Sequence, residues 1–294
     1  MRVTERQIFD RAARSGEAAR SGLATATGEL SSGRRVQRAY DDPAATSRIL
    51  RLQAQSSRAD GISAAAAAAR NELDVVDGTL GEVANVMTRA KELAVTFAND
   101  SYDAPSRQAA ALEVAALSKT LVTLANQRLG ARYLFAGDLT DKPPFLDDGT
   151  YVGDDGVRRI EIGFGVEEDV SFPGDELFKG AGGGADLFAS LASLQAALEA
   201  NDADAIRGSI GGLDGSIAQA AAGRAEVGSV TTVIMAAESA ADMVSLKTQI
   251  QAAELGEVDV IDAASRLQAS QTALEASLQA TKSSFSMTLL DKIG

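Results

Sequence analysis

The side chains that carry most protein chemistry are missing from this chain. It has no histidine and no cysteine among its 294 residues. Thiol nucleophiles, the commonest catalytic base, the commonest zinc ligands and any disulfide are therefore excluded. Three groupings of binding type remain, and each is judged by its spacing. Arg34, Arg35 and Arg38 crowd one short segment and could hold a phosphate or a nucleic acid. No aromatic residues interleave with them, and the formal net charge of the chain is −13. They read instead as a contact to an acidic neighbour. Asp147, Asp148, Asp154 and Asp155 could suggest a cation site. They lack the ordered D-x-D-x-D-G-x5-E spacing of a calcium loop and read as hairpin-turn residues. Gly163 and Gly165 make a G-x-G fragment, but it lies in a strand pattern with no third glycine in place, so it is not a nucleotide loop. The sequence thus offers no catalytic cluster, no metal ligand set and no cofactor site, and it reads as a non-enzyme.

What the elements must position is interface. Ile8, Ala12, Ser15, Ala19, Leu23, Ala26 and Leu30 fall at steps of three or four. So do Val260, Ala264, Leu267, Gln271, Leu274, Leu278, Thr281 and Phe285. Each set is a coiled-coil seam at one end of the chain. The seams are thin, with few large residues among Ala, Ser, Thr and Gln. Such a seam buries too little surface to offset ordering entropy, so the ends are expected to pair with each other and with neighbouring chains on assembly. The expected interface residues are Ile8, Leu23, Leu30, Leu267, Leu274, Leu278 and Phe285, with Arg34, Arg35 and Arg38 on the basic linker.

Between the seams the helical pattern is strong. A helix over about 4–32 stops at Ser31-Ser32-Gly33, where glycine suits a C-cap. A second starts at Asp42-Pro43, an N-cap followed by a first-turn proline, and runs to about Phe97. Its stripe is Leu73, Val76, Leu80, Val83, Met87, Ala90, Ala94 and Phe97. A third carries Ala110, Val114, Leu117, Leu121 and Leu124, and the short polar turn before it implies an antiparallel hairpin. After Gly130 the pattern changes. Tyr151-Val152, Gly153-Asp154-Asp155-Gly156 and Val157 onward read as a hairpin, and Ile160, Ile162, Phe164 and Val166 alternate as a half-buried strand. Gly180–Gly184 reads as a flexible linker, so the β-rich insert is expected to share few contacts with its host. Leu187, Leu191, Leu194 and Leu198 form the next stripe. A weaker Gly-rich helix follows through Gly223, then a long helix to about Leu255.

These elements divide the chain into five parts. They are an N-terminal assembly helix and basic linker (1–43), the N-terminal half of a helical rod (44–135), a β-rich inserted outer domain (136–184), the C-terminal half of the rod (185–256) and a C-terminal assembly helix (257–294). The fold class expected is mostly α: a long antiparallel helical bundle or coiled-coil rod with a small β-rich insert and terminal helices that pair on assembly. Charge is uneven. Residues 1–40 carry eight arginines against four acids, a net of +4, and residues 136–176 carry twelve acids against three bases, a net of −9. The split reads as solvated faces or as complementarity between stacked subunits. No apolar run approaches the roughly 20 residues of a membrane helix. The N-terminus lacks the apolar core of a cleavable secretory signal. The expected location is therefore the cytoplasm, or outside it by a route that does not read such a signal.

In this order the pieces resemble the flagellin superfamily along nearly the whole chain. The resemblance is carried by Leu30-Ser31-Ser32-Gly33-Arg34-Arg35-Val36, by Asp41-Asp42-Pro43-Ala44-Ala45, and by Arg89-Ala90-Lys91-Glu92-Leu93-Ala94-Val95 with Ala98-Asn99. Within the superfamily two segments resemble the hook–filament junction type rather than filament flagellin. One is Arg132-Tyr133-Leu134-Phe135-Ala136-Gly137 with Thr140-Asp141-Lys142-Pro143-Pro144-Phe145, and the other is the ending Ser286–Gly294. The resemblance implies a structural axial protein of the bacterial flagellum, forming a ring of copies between hook and filament outside the cell. It implies a neighbouring hook-associated protein, flagellin and a small export chaperone at the C-terminal region as partners, and no nucleic acid or membrane insertion. Filament flagellin is the alternative within the family. A cytoplasmic coiled-coil scaffold or signalling protein is the alternative outside it, against which the β insert and the Asp42-Pro43 helix start speak. Arg89, Leu93 and Glu113 match positions where an innate immune receptor recognises flagellins; here they read as ordinary packing and surface charge.

Overall fold

A computed structural model describes the backbone of residues 2–293 and the side chains of residue 7 and residues 10–282. Among the described residues the order is α1 (Arg2–Ser32), α2 (Pro43–Phe97), α3 (Ala104–Ala125), β1 (Arg128–Leu129), β2 (Arg132–Tyr133), β3 (Arg159–Gly163), β4 (Val166–Asp169), α4 (Gly174–Lys179), α5 (Leu187–Glu199), α6 (Ala203–Gly256) and α7 (Val260–Ile293). The fold is mostly α, with long helices and few small strands. The chain forms two compact units, one of Met1–Arg58 with Val244–Gly294 and one of Ala59–Met243. The boundary falls inside α2 and again inside α6. Below they are the first and second units.

The second unit has a continuous apolar core. The α2 stripe foreseen from spacing is buried from Leu73 to Ala94, as are Ala110, Val114 and Leu121 of α3 and Leu187, Leu191, Leu194 and Leu198 of α5. Helices α2 and α6 run antiparallel here, tied by Arg224 to Asp77 at 2.8 Å and by Ser63 to Asp242 at 2.6 Å. Asp103 starts α3 by accepting the Ser106 N–H at 3.1 Å. Arg107 of α3 is buried and donates to the carbonyls of Phe97 at 3.1 Å and Asn99 at 3.0 Å. It also donates to the Asn201 side chain at 2.7 Å. It thereby satisfies helix-end carbonyls that would otherwise be bare.

Several expectations are corrected here. Residues 136–184 do share contacts with the helices: Phe145, Val170, Phe172, Leu177 and Phe178 lie in the same core cluster as Leu80, Leu191 and Val227. Buried aromatics outweigh the glycine-rich flanks. The rings of Phe135 and Phe145 stand 5.1 and 5.3 Å from that of Phe178. Glu72 of α2 receives Arg132 at 3.3 Å and Arg158 at 2.6 Å. The regular hairpin is β3–β4, and it turns at Phe164-Gly165 rather than at 153–156. Gly165 has φ +78°, which a tight two-residue turn demands, and Phe164 and Val166 are exposed. Gly180–Gly184 forms a hydrogen-bonded turn that is exposed beyond Gly180: Gly180 closes α4 in the left-handed conformation, and the Gly184 N–H donates back to its carbonyl at 2.9 Å. The glycine-rich and long C-terminal helices are one helix, α6, because its stripe Ile206, Leu213, Ala220, Val227 and Ile234 continues unbroken. Among the described residues α6 is the one helix long and apolar enough to cross a membrane by length and composition, with a mean hydropathy of 1.2 over an 18-residue window. That apolarity is spread among small and polar residues, which is why no continuous run announces it.

Candidate assembly site

The first unit contains the segments that the sequence marks for assembly. Its helices α1 and α7 pair antiparallel, and the pairing is built on small residues. A Cβ on Gly16 would lie 3.3 Å from Ser277 Oγ, and one on Gly22 would lie 3.0 Å from Ser270 Oγ. Ala19, Ala26 and Ala263 are buried, and Leu23, Leu30, Leu267 and Leu274 are half-buried. An ion pair staples the two helices: Arg266 reaches Glu29, whose side chain is buried, at 2.9 Å.

The seam differs from the one read off the spacing. On α7 the expected Leu267, Leu274 and Thr281 turn toward α1, but Ala264, Gln271 and Leu278 do not; Leu278 is 53% exposed. Their places are taken by Ala263, Ser270 and Ser277. On α1, Gly16 turns inward where Ser15 was expected. The physical reason is close approach. Helices packed this tightly accept only small side chains at alternate positions, so the choice follows size rather than hydropathy. The signal was present as a heptad of small residues at 263, 270 and 277. Glu29 and Arg266 are not singled out by any sequence pattern. Ile8 and Phe285 lie outside the described side chains.

The connectors on either side of the long helices are joined. Arg35 N–H donates to Gly256 O at 2.9 Å and Val258 N–H to Gly33 O at 3.1 Å, with Arg34 and Glu257 paired as an antiparallel bridge. The three arginines do three different things. Arg34 lines an open groove beside Ile49 and Gln53. Arg35 donates to Leu255 O at 2.7 Å, at the negative C-terminal end of α6, and pairs with Asp42 at 3.3 Å. Arg38 donates to the Tyr40 hydroxyl and lies 5.7 Å from that ring. Asp42 caps α2, accepting the Ala45 N–H at 2.9 Å. That hydrogen bond first, and the Arg35 pairing second, hold its carboxyl below the usual carboxylate range.

The other candidates lie in the second unit. Asp148 accepts the Thr150 N–H at 2.9 Å, and Asp154 accepts those of Asp138 at 2.6 Å and Gly156 at 3.1 Å. Both carboxylates are spent on turns. Among the described residues no group of three His, Cys, Asp or Glu could hold a metal ion. Arg89 binds Glu113 at 2.8 Å and Glu92 at 3.0 Å, and Leu93 is buried in the core.

Residues 7–140 match the family model of the bacterial flagellin N-terminal helical region, a span holding the Leu30–Val36, Asp41–Ala45 and Arg89–Val95 segments. Over that stretch the chain is similar to bacterial flagellins. Flagellar hook-associated protein 3 of Escherichia coli is 27% identical over 275 residues, covering 86% of this chain and 87% of that protein. The match to a flagellin-type filament protein is shorter. The flagellar filament 41 kDa core protein of Borreliella burgdorferi is 33% identical over 99 residues, 34% of this chain and 30% of that protein. Among solved structures, the flagellar junction protein FlgL of Legionella pneumophila shares the fold, with a TM-score of 0.58 at 14% identity, covering 70% of this chain and 100% of that one. The likeness to hook-associated protein 3 therefore runs along most of this chain, and the filament likeness does not.

Proposed function

We propose that this chain is a structural axial protein of the bacterial flagellum, forming the junction ring between hook and filament. One observation carries the reading: the first unit is built to be covered. Among its described residues the buried apolar ones are Ala19, Ala26, Ala45 and Ala263, while Tyr40, Leu50, Leu246, Ile250, Val260, Ile261 and Leu278 are exposed. A chain that hides alanine and shows leucine is completed by neighbours. Copies pack through α1, α7 and the connector arginines, with Leu23, Leu30, Leu267, Leu274 and Leu278 in the contacts; sequence spacing adds Ile8 and Phe285. A neighbouring hook-associated protein lies on one side of the ring and flagellin on the other, outside the cell. A small export chaperone holds the C-terminal region beforehand. The role needs no cofactor and no catalysis.

The test is the double substitution Leu274→Asp with Leu278→Asp. It places charge where an assembled α7 would be buried and leaves Ala59–Met243 untouched. Cells carrying it are expected to make hooks without attached filaments and to release flagellin, while the thermal unfolding of Ala59–Met243 within the purified chain stays as in the parent. The parent strain must retain its flagellin. Attached filaments and normal swimming in the variant would remove the mechanical basis of the reading.

A further inference from the structure

We propose that the ends of α2 and α6 in the first unit are a pair of arms that open and close, with Arg35 as their clasp. The arms are residues 43–58 and 244–256, and their shared surface is unusual for packed helices. It is held by hydroxyls. Ser56 Oγ lies 3.1 Å from Ser245 Oγ, and the Gln249 amide donates to both, at 3.3 and 3.0 Å. Thr248 is buried beside them and bonds to its own helix, at 2.9 Å to Val244 O. Next to this network is a groove of about 540 Å³ lined by Leu52, Gln53, Thr248 and Ala252.

Each feature lowers the cost of parting the arms. Opening an apolar seam exposes hydrocarbon to water, which is what holds most helix pairs shut. Here the parted groups are hydroxyls and an amide, which water satisfies nearly as well as they satisfy each other. The groove already admits solvent beside them. Among the described residues of this stretch Ala45 is the one buried apolar residue; the large side chain that reaches across, Ile49, meets only the bare backbone of Gly256, where a Cβ would lie 3.1 Å from its Cδ1, and is itself partly exposed. What spans the arms at their ends is Arg35, bound at once to Leu255 O on α6 and to Asp42 at the start of α2. That clasp is solvent-exposed, so it is weak and exchangeable. Helices α1 and α7 hang from the connectors at the arm ends. Opening the arms therefore lets that pair part or turn while Ala59–Met243 stays folded. The motion is a property of the chain alone. Its use in seating a subunit between unlike neighbours rests on the function proposed above.

The absence of cysteine makes the test clean. Ser56 and Ser209 are equally hidden, at 7% and 6% exposure, one in the arms and one in the second unit. Ser56→Cys and Ser209→Cys are made separately in the full chain and reacted with a bulky thiol reagent. Each rate is normalised to that of the same variant unfolded in denaturant. Ser56→Cys is expected to react at least tenfold faster than Ser209→Cys. Adding Arg35→Ala should raise the Ser56→Cys rate a further threefold or more and leave Ser209→Cys unchanged. Equal slow rates overturn the proposal, because the arms are then as closed as the core. Equal fast rates overturn it too, because opening is then not confined to the arms. An Arg35→Ala variant with no effect on Ser56→Cys removes the clasp. None of these outcomes bears on whether filaments attach to the hook.

Discussion

The same two helices, α2 and α6, supply both units, and what they bury differs sharply between them. In Ala59–Met243 they offer Leu73, Val76, Leu80, Val83, Met87, Val227 and Ile234 to a core that also holds five buried phenylalanines. In the first unit they offer Ala45, Ser56, Ser245 and Thr248, and α1 and α7 add Ala19, Ala26, Glu29, Ala263 and Ser277. Burying a leucine or phenylalanine side chain gives about 1.5–3 kcal/mol, and alanine gives far less. One stretch of each helix is therefore self-sufficient and the other is not, with no break in the helix between them. The backbone is continuous; the side chains decide which part is finished within one chain.

The comparison breaks most easily at Phe178. Its ring is fully buried between Phe135 and Phe145, and Phe178→Ala should cost about 3–5 kcal/mol. If the β-rich region and the helices share one core, the helical signal of the second unit must unfold at lower denaturant. A helical transition at its parental midpoint would show the β-rich region to be separate after all. Gly223→Ala is the next step down. Its Cβ would meet Leu177 Cδ2 at 2.7 Å and Leu80 Cδ1 at 3.4 Å. Helix propensity favours alanine by about 1 kcal/mol, but displacing Leu177 of α4 should outweigh it, for a net loss of about 1–2 kcal/mol. A rise in melting temperature would mean that α4 yields freely.

Glu72→Gln should have a smaller effect. The carboxylate is 8% exposed, and Arg132 and Arg158 close on it with side chains 44% and 35% exposed. Breaking a fully buried pair costs about 3–5 kcal/mol. With both guanidiniums more than a third exposed, solvent screening discounts that to about 1–2 kcal/mol. Raising salt should shrink the difference between variant and parent in urea unfolding. A difference that ignores salt would point to packing instead of charge.

Why the second unit was more legible in the sequence than the first follows from the same contrast. Large residues at steps of three and four, such as Leu73 to Ala94 or Leu187 to Leu198, have one way to be buried. Asp42-Pro43 gives a helix start with a mechanism, and the structure places the cap there. The β-rich region misled because Gly153–Gly156 and Gly180–Gly184 look like breaks, whereas Phe145, Phe172 and Phe178 dock it on the helices. Their spacing has no period to announce it. In the seam of α1 and α7 the largest residues are poor guides, since close approach selects Gly16, Gly22, Ser270 and Ser277. Leu278 is then left outside, where hydropathy alone would have buried it. Arg35 was marked for a neighbouring chain, and within this chain it bridges 220 positions to Leu255, a contact that no local pattern encodes.

Acid should separate the units with the gentlest effect. Asp42 in the first unit is held below the usual carboxylate range by the Ala45 N–H and then by Arg35. Asp103 in the second unit is lowered by its hydrogen bonds with Ser106. A depressed carboxyl stabilises the fold at pH above its unfolded value, about 3.9. That contribution fades as pH falls past this value toward the lower folded one, since the unfolded chain takes up the proton first. Both carboxyls are shifted in the same direction, so the units are distinguished by what backs each cap. Asp103 starts a helix whose far side is Ala110, Val114 and Leu121, all buried. Asp42 starts a helix backed by Ala45 and serines, and it is also the partner of the Arg35 clasp. Lowering the pH from 6 to about 3 should therefore speed proteolytic cleavage in the connector 33–42 several-fold before the helical signal of the second unit changes. A protease that works in acid makes the measurement direct. Asp42→Asn, which keeps a cap but carries no charge to titrate, should flatten the dependence and raise cleavage at pH 6. If it leaves the acid step intact, the step belongs to another carboxylate, and the contrast between a backed and an unbacked cap fails.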